Sequence, residues 1–297
     1  MSSGSLKEAN VAQAMELCKK GDSILTKFIY LGSRNDDACE AYRTAANKFK
    51  VAKAWKEAGD TFRKMVPLLL KMSSKYEAAT VAIDASNCYK QAGLKQETTE
   101  CINEAIGLFT EAGKFATVAK YEKEMAEVLE EAEDYENACN HYSSAADYFL
   151  SEDQKSSANQ CIVKLAHLQA VMGKFDEAIE HFEKAASAAV DDRLLKWGAK
   201  EYLFKALICI MAKLEECEPE DINEVRNKIS EYKDMDVHFG DSLECKLIEK
   251  LADACEEKNV KTYTITLRDF DKIQKLDTWK TNLFLQIKDK IKTIDLT

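Results

Sequence analysis

The stretch DDACEAYRTAANKFKVAKAWKEAGDTF, residues 36–62, holds the pattern that decides the fold. Ala38 and Ala58 are 20 residues apart, and so are Tyr42 and Phe62. Tyr42 follows Ala38 by four positions, and Phe62 follows Ala58 by four positions. A spacing of four places two residues on the same face of an α-helix. The stretch therefore predicts two successive helices that repeat the same buried face.

Four columns of residues keep this 20-residue spacing over most of the first two thirds of the chain. They begin at Ala38 and at 4, 7 and 11 residues beyond it, and these offsets share one helical face. Each unit therefore predicts one helix of about 15–17 residues plus a short turn, and short turns make neighbouring helices antiparallel. Turn-like breaks in this register fall at Ser73–Ser74, Gly93, Gly113, Glu133–Asp134, Asp153 and Gly173. The columns are Ala38, Ala58, Ala78, Thr98, Val118, Ala138, Ala158 and Ala178; Tyr42, Phe62, Ala82, Ile102, Tyr142, Ile162 and Phe182, with Glu122 as the exception; Ala45, Met65, Ala85, Ala105, Met125, Ala145, Leu165 and Ala185; and Phe49, Leu69, Tyr89, Phe109, Leu129 and Phe149.

The predicted fold class is all-α: a tetratricopeptide-like, right-handed stack of antiparallel helix hairpins, a twisted helical sheet, followed by a C-terminal helical bundle. An ordinary helical bundle is the alternative, and the fixed spacing over eight units favours the stack. We predict the stack over residues 1–190 and the bundle over residues 191–297, where it would cap the open end of the stack. Further helices are expected at about 194–215, 220–233, 241–257, 260–275 and 277–293, with N-cap starts at Asp241–Ser242 and Asp277–Thr278.

Composition excludes several classes of function. The net charge of −10 argues against a nucleic-acid-binding protein. The sequence has no H-E-x-x-H, no glycine-rich phosphate loop and no G-x-S-x-G, and Cys139 and His141 are two apart on a helix, so they point different ways. We therefore expect no enzyme activity, no cofactor and no metal site. The 10 cysteines form no C-x-x-C, which favours free thiols in a reducing cytosol over disulfides or zinc. The first residues lack the basic and apolar regions of a secretory signal.

The segment ILTKFIYLG, residues 24–32, lies outside the columns. It is apolar but too short to span a membrane, and the polar stretch GSRNDD follows it. Ile24, Leu25 and Phe28 have the spacing of a buried helical stripe, so a place in the core is one alternative.

Several collinear segments resemble one known family. DDACEAYRTAANKFKVAKAWKEAGDTF, SSANQCIVKLAHLQA, LLKWGAKEYLFKA and LDTWKTNLFLQIKDKIK are similar to the soluble N-ethylmaleimide-sensitive-factor attachment proteins, the SNAP adaptors. DSLECKLIEKL and the closing DLT resemble the alpha/beta branch and its fungal counterpart. The resemblance implies a twisted sheet of helix hairpins followed by a bundle. It also implies a cytoplasmic, peripherally membrane-associated adaptor that wraps the four-helix complex of syntaxin-type SNAREs. Such adaptors recruit and stimulate the hexameric AAA+ ATPase N-ethylmaleimide-sensitive factor (NSF) and hydrolyse nothing themselves.

The resemblance also implies functional residues. Because the SNARE bundle is acidic, a basic face on the adaptor would attract it. Gln160 and Leu243 stand where the family usually has a basic residue, and a solvated helix face is the alternative for any single lysine. The SNARE-binding positions of the family correspond to Lys53, Lys90, Lys114, Lys120, Lys164 and Lys200.

Two more segments acquire roles in the same way. The family loop that dips into the membrane corresponds to Phe28, Ile29, Tyr30 and Leu31. The resemblance therefore implies a mixed arrangement, in which Ile24 is packed and residues 28–31 are exposed. The ATPase-stimulating tail corresponds to Asp295 and Leu296, although Thr293 and Ile294 stand where more acidic residues are typical, and a frayed end is the alternative. A generic helical-repeat scaffold that binds another protein or peptide is the second function left open.

Overall fold

The computed structural model describes residues 3–29, 31–192 and 195–293, with side chains for residues 6–29, 31–192 and 195–291. All regular structure in these residues is α-helical, which confirms the predicted fold class. The helices are α1 Ser3–Thr26, α2 Arg34–Val51, α3 Trp55–Lys71, α4 Lys75–Ala92, α5 Lys95–Glu111, α6 Phe115–Glu131, α7 Tyr135–Ser151, α8 Lys155–Val171, α9 Phe175–Val190, α10 Lys196–Lys213, α11 Pro219–Met235, α12 Val237–Gly240, α13 Leu243–Glu256, α14 Val260–Ile273 and α15 Thr278–Thr293.

The turns between α2 and α9 repeat as regularly as the helices. One residue in each turn has a positive φ, and these residues follow one another at intervals of 20: Lys53, Ser73, Gly93, Gly113, Glu133, Asp153 and Gly173. The N–H of the next residue bonds back into the preceding helix, as in Ala54 to the Phe49 carbonyl at 2.9 Å and Leu94 to the Tyr89 carbonyl at 3.0 Å. Each helix thus ends with a residue in the left-handed (αL) conformation. This ending reverses the chain within two or three residues and makes neighbouring helices antiparallel.

The predicted columns are buried. Ala38, Ala58, Ala78 and Ala138 are 0% exposed, and Phe62 in the aromatic column is 2% exposed. Every other column position is also buried except Leu129, which is half-buried. The small first column allows close helix approach, and the larger side chains fill the space beside it.

Close packing is clearest at two glycines. A Cβ on Gly59 would lie 2.7 Å from Cε1 of Tyr89, and the Tyr89 hydroxyl donates to Asp60 Oδ1 at 2.8 Å. Gly21 has the same relation to Tyr42, whose hydroxyl donates to Asp22 Oδ1 at 2.7 Å. A Gly–Asp pair on one helix therefore holds a tyrosine from the next helix, in both the α1–α2 and the α3–α4 hairpin.

The chain forms two compact units, residues 1–131 and 132–297. Ion pairs join alternate helices of unit 1: Lys64 to Asp22 at 3.1 Å, Arg63 to Glu100 at 3.2 Å and Arg43 to Glu77 at 2.7 Å. Unit 1 therefore has one layer formed by α1, α3 and α5 and a second formed by α2, α4 and α6. The predicted boundary at residue 190 is a different division of the chain and stays a prediction.

In unit 2, α10 is buried almost all round and forms the centre of the C-terminal bundle. Leu203, Phe204 and the run 206–212 are all buried. The predicted caps are confirmed: Ser242 Oγ accepts from the Cys245 N–H at 3.1 Å, and Asp277 Oδ1 accepts from the Lys280 N–H at 2.8 Å. The four-residue helix α12 was not predicted, because a helix of about one turn is too short to show a periodic pattern of apolar residues.

Candidate functional site

The connection between α1 and α2 is the most exposed apolar segment of the described chain. Phe28, Ile29 and Leu31 are 95%, 82% and 97% exposed, whereas Ile24 is 5% exposed. The predicted mixed arrangement is confirmed for these residues, and a fully buried stripe is excluded. Tyr30 lies outside the described residues. Contiguous exposed apolar side chains are uncommon on protein surfaces and are typical of interaction sites, so this segment is a candidate site.

The backbone of this loop is held at both ends. α1 ends at Thr26, whose hydroxyl donates to the Ser23 carbonyl at 3.0 Å. Ser33 Oγ accepts from the Asp36 N–H at 3.4 Å and starts α2. Arg34 Nη2 donates to the Phe28 carbonyl at 2.8 Å. The loop thus has a tethered backbone while its apolar side chains face solvent.

The four sequence-predicted lysines of unit 1 are all exposed. Lys90 lies in the last turn of α4 and Lys120 lies on α6, where its Nζ is 5.2 Å from the centre of the Tyr121 ring. Lys53 lies two residues after the end of α2, and Lys114 directly precedes α6. All four therefore belong to the layer of α2, α4 and α6 or to the turns beside it.

The four lysines do not share one edge of this layer. Since neighbouring helices are antiparallel, the connections α1–α2, α3–α4 and α5–α6 lie at one edge of unit 1, which we call the loop edge. The connections α2–α3 and α4–α5 lie at the opposite edge. Lys114 is therefore at the loop edge and Lys53 and Lys90 are near the opposite edge, so the unit 1 lysines span the layer.

The two lysines of unit 2 differ in their surroundings. Lys164 is exposed on α8. Lys200 on α10 forms an ion pair with Glu244 at 3.2 Å, and the Glu244 side chain is only 2% exposed. Burial of Glu244 opposes its ionisation, but hydrogen bonds from its own backbone N–H, Gln274 and Lys200 outweigh burial and lower its pKa. The ammonium group of Lys200 is therefore already paired with a buried carboxylate of the same chain.

The structure also shows an exposed aromatic residue that no sequence motif had marked as functional. Trp197 on α10 is 70% exposed, and its ring stacks on His238 with centroids 5.8 Å apart. Lys196 Nζ lies 5.1 Å from the same ring. Tryptophan in an exposed position is typical of binding surfaces. The one sequence signal for Trp197 is that a large aromatic residue stands at a position outside the buried face of its helix. Of the two positions that depart from the family, Gln160 is exposed on α8 and Leu243 is 46% exposed at the start of α13.

The sequence pattern of the family described as soluble NSF attachment protein, SNAP, matches residues 7–292. The chain belongs to the soluble NSF attachment protein family. The beta-soluble NSF attachment protein of Bos taurus is 39% identical over 95% of this chain and 92% of its own length. The alpha-soluble NSF attachment protein of Homo sapiens is 38% identical over 95% of this chain and 94% of its own length. The alpha-soluble NSF attachment protein of Saccharomyces cerevisiae is 27% identical over 86% of both chains.

Members of the soluble NSF attachment protein family are attachment proteins and not enzymes. Membership of this family confirms the prediction that the chain has no enzyme activity. The thiols fit this conclusion. Nine of the ten cysteines are buried, Cys18 is half-buried and none forms a disulfide. Burial raises the pKa of Cys101 to about 11 and that of Cys209 to about 12, so both remain protonated and poor nucleophiles. Among the described residues, no group of three or more His, Cys, Asp or Glu could hold a metal ion.

The predicted ATPase-stimulating residues of this family member, Asp295 and Leu296, lie outside the described residues. The last described helix is α15, which ends at Thr293. The role of the tail therefore stays a prediction, and so do the individual SNARE contacts.

Proposed function

We propose that this chain is an adaptor that binds assembled SNARE complexes and recruits and stimulates the AAA+ ATPase NSF, so that SNAREs are disassembled after membrane fusion. The observation that carries the proposal is the family match across residues 7–292, together with relatives named NSF attachment proteins. The protein supplies binding surfaces, and the chemical energy comes from the ATPase.

The SNARE-binding surface is proposed to be basic. Lys53, Lys90, Lys114 and Lys120 are exposed on or beside the layer of α2, α4 and α6, and Lys164 is exposed on α8. Charge complementarity with an acidic bundle speeds encounter and fixes orientation. Lys200 is the least available of the six, because it would have to leave Glu244 or contact both partners.

The loop of Phe28, Ile29, Tyr30 and Leu31 is proposed to enter the membrane that anchors the SNAREs. Moving an apolar side chain fully out of water contributes ~1.5–3 kcal/mol, so partial insertion of a few gives weak binding alone. Beside the protein contacts it acts as a second tether that raises the local concentration of the adaptor. None of the helices in the described part of the chain is long and apolar enough to cross a membrane. Because relatives of this chain are named soluble attachment proteins, we propose a cytoplasmic protein that is peripherally associated with membranes through this loop.

Charge reversal tests the SNARE-binding surface. Lys120→Glu combined with Lys164→Glu should weaken binding to assembled SNARE complexes and flatten its salt dependence, because repulsion replaces attraction. Lys95→Glu with Lys184→Glu is the matched control, since both lysines are exposed and lie on α5 and α9, outside the proposed surface. Equal binding of both double variants, at low and high salt, would contradict the assignment.

The tail has a separate test. Leu296→Ala should leave SNARE binding intact and slow ATPase-driven disassembly, because the leucine is proposed to contact the ATPase. Disassembly at the wild-type rate would reject that role. A pull-down with the ATPase and assembled SNARE complex distinguishes the adaptor from a generic helical-repeat scaffold, which would retain neither.

A further inference from the structure

The loop of Phe28, Ile29 and Leu31 is not alone at its edge of unit 1. The connections α3–α4 and α5–α6, residues 72–74 and 112–114, lie at the same edge because the helices alternate in direction. Contacts join these two connections directly. Lys75 at the start of α4 pairs with Glu111 at the end of α5 at 2.7 Å, and the rings of Tyr76 and Phe109 are 5.6 Å apart.

Each of these connections exposes an aromatic side chain. Tyr76, near the start of α4, is 55% exposed, and Phe115, the first residue of α6, is 41% exposed. Leu70, at the end of α3, is 38% exposed. At the two connections of the opposite edge, Val51 is the one large apolar residue in the described chain that is exposed to this degree. Among the five connections of unit 1, exposed apolar side chains are therefore concentrated at the three of the loop edge.

Lysines accompany the aromatic residues. Lys71 ends α3 and Lys114 precedes α6, and neither forms an ion pair with another described residue. The neighbouring carboxylates Glu77 and Glu111 are paired with Arg43 and Lys75 at 2.7 Å. The loop itself is flanked by Lys27 and Arg34, and the carboxylates of Asp36 and Asp37 lie in the first turn of α2. The loop edge thus carries five basic and four acidic residues over 27–37, 71–77 and 111–115, in a chain of net charge −10.

We infer that the whole loop edge of unit 1, and not the loop alone, binds a lipid surface that contains anionic headgroups. This inference rests on the membrane role proposed for the loop and extends it to two further connections. Aromatic rings favour the membrane–water interface, because one part is apolar and another meets polar headgroups. Lysine side chains beside them extend their apolar stems along the surface and place the ammonium group at lipid phosphates. Three points of contact along one edge would also fix the orientation of unit 1 on the membrane, which a single loop cannot do.

Flotation of the full chain with vesicles, in the absence of SNAREs and ATPase, tests the inference. Vesicles of phosphatidylcholine with phosphatidylserine are compared with vesicles of phosphatidylcholine alone. The edge variant combines Lys71→Glu with Tyr76→Ser, and the matched control at the opposite edge combines Lys95→Glu with Val51→Ser. The edge variant should bind phosphatidylserine vesicles at least about fivefold more weakly than wild type, since even one lysine contributes about that factor near an anionic surface. The control should bind as wild type.

Each other outcome has a distinct meaning. Wild-type binding of the edge variant, with loss of binding when Phe28, Ile29 and Leu31 are replaced by Ser, would overturn this inference and leave the loop proposal standing. Wild-type binding of all variants would overturn both. Loss of SNARE-complex binding in solution with unchanged vesicle binding would make the edge a protein-binding surface and overturn the inference. Because Tyr76 packs on Phe109, Lys71→Glu alone is the second variant, and its weaker vesicle binding must persist at an unchanged melting temperature.

Discussion

Two groups of apolar side chains in unit 1 have the same chemistry and opposite surroundings. Phe62, in a repeat column, is 2% exposed, and Phe28, in the loop, is 95% exposed. The column residues recur every 20 positions and meet the same helix face each time, whereas the loop residues fall between two helices and meet no face. The register of a residue, and not its hydrophobicity, therefore decides whether it stabilises the fold or remains available for binding.

The largest expected effect on stability comes from replacing a buried residue of the repeat columns. Phe62→Ala should lower the free energy of unfolding by about 3–5 kcal/mol, because it removes buried apolar area and leaves a cavity. Phe28→Ala should change it by no more than about 0.5 kcal/mol, as for other surface substitutions. Urea denaturation of the two variants measures both values. Similar losses in the two variants would mean that the loop belongs to the core.

A smaller effect is expected at the glycine that holds Tyr89. Gly59→Ala should destabilise the protein by about 1–3 kcal/mol despite the better helix propensity of alanine, because the new Cβ would lie 2.7 Å from the Tyr89 ring. Gly107→Ala on α5 is the matched control, since a Cβ there meets no atom within 4 Å. This control should gain up to about 1 kcal/mol from helix propensity. Thermal unfolding of both variants gives the signs, and a gain at Gly59 would reject the proposed close packing.

The repeat connections provide a still smaller effect. Ser73 has a φ of 60°, in a register where Gly93, Gly113 and Gly173 also have positive φ. Ser73→Gly should therefore stabilise the protein by about 0.5–1 kcal/mol, because glycine adopts this conformation without a Cβ clash. Ser74→Gly, at the adjacent position with a φ of −91°, should give no such gain. Equal changes at both positions would show that the register does not fix the turn.

Much of this architecture could be predicted from the sequence, because its signals are periodic. The spacing between Ala38 and Ala58 gave the helix length, the buried face and the position of the turns. The caps at Ser242 and Asp277 could be predicted because capping depends on a few adjacent residues. The exposure of Phe28 and Leu31 was expected from the family resemblance, which implies an exposed apolar loop between the first two helices.

Other features depend on contacts between residues far apart in the chain, and no periodicity reports them. The hydrogen bond between Tyr89 and Asp60 joins residues 29 positions apart, and the ion pair between Lys200 and Glu244 joins residues 44 positions apart. The spacing of residues along the chain could therefore predict neither contact. The resemblance supplied Lys200 as a SNARE contact without its intramolecular partner. Trp197 was missed for the same reason, since its exposure depends on the packing of α10 in unit 2.

The smallest expected effect on stability belongs to the substitution that tests the central claim most directly. Phe28, Ile29 and Leu31 are replaced together by Ser, and ATPase-driven disassembly is measured with SNARE complexes anchored in liposomes and with the same complexes lacking their anchors. The account predicts slower disassembly of the anchored complexes, a wild-type rate for the unanchored ones and an unchanged melting temperature, because the loop contributes a membrane tether and no core packing. Equal loss on both substrates, or a large drop in melting temperature, would contradict the membrane role of the loop.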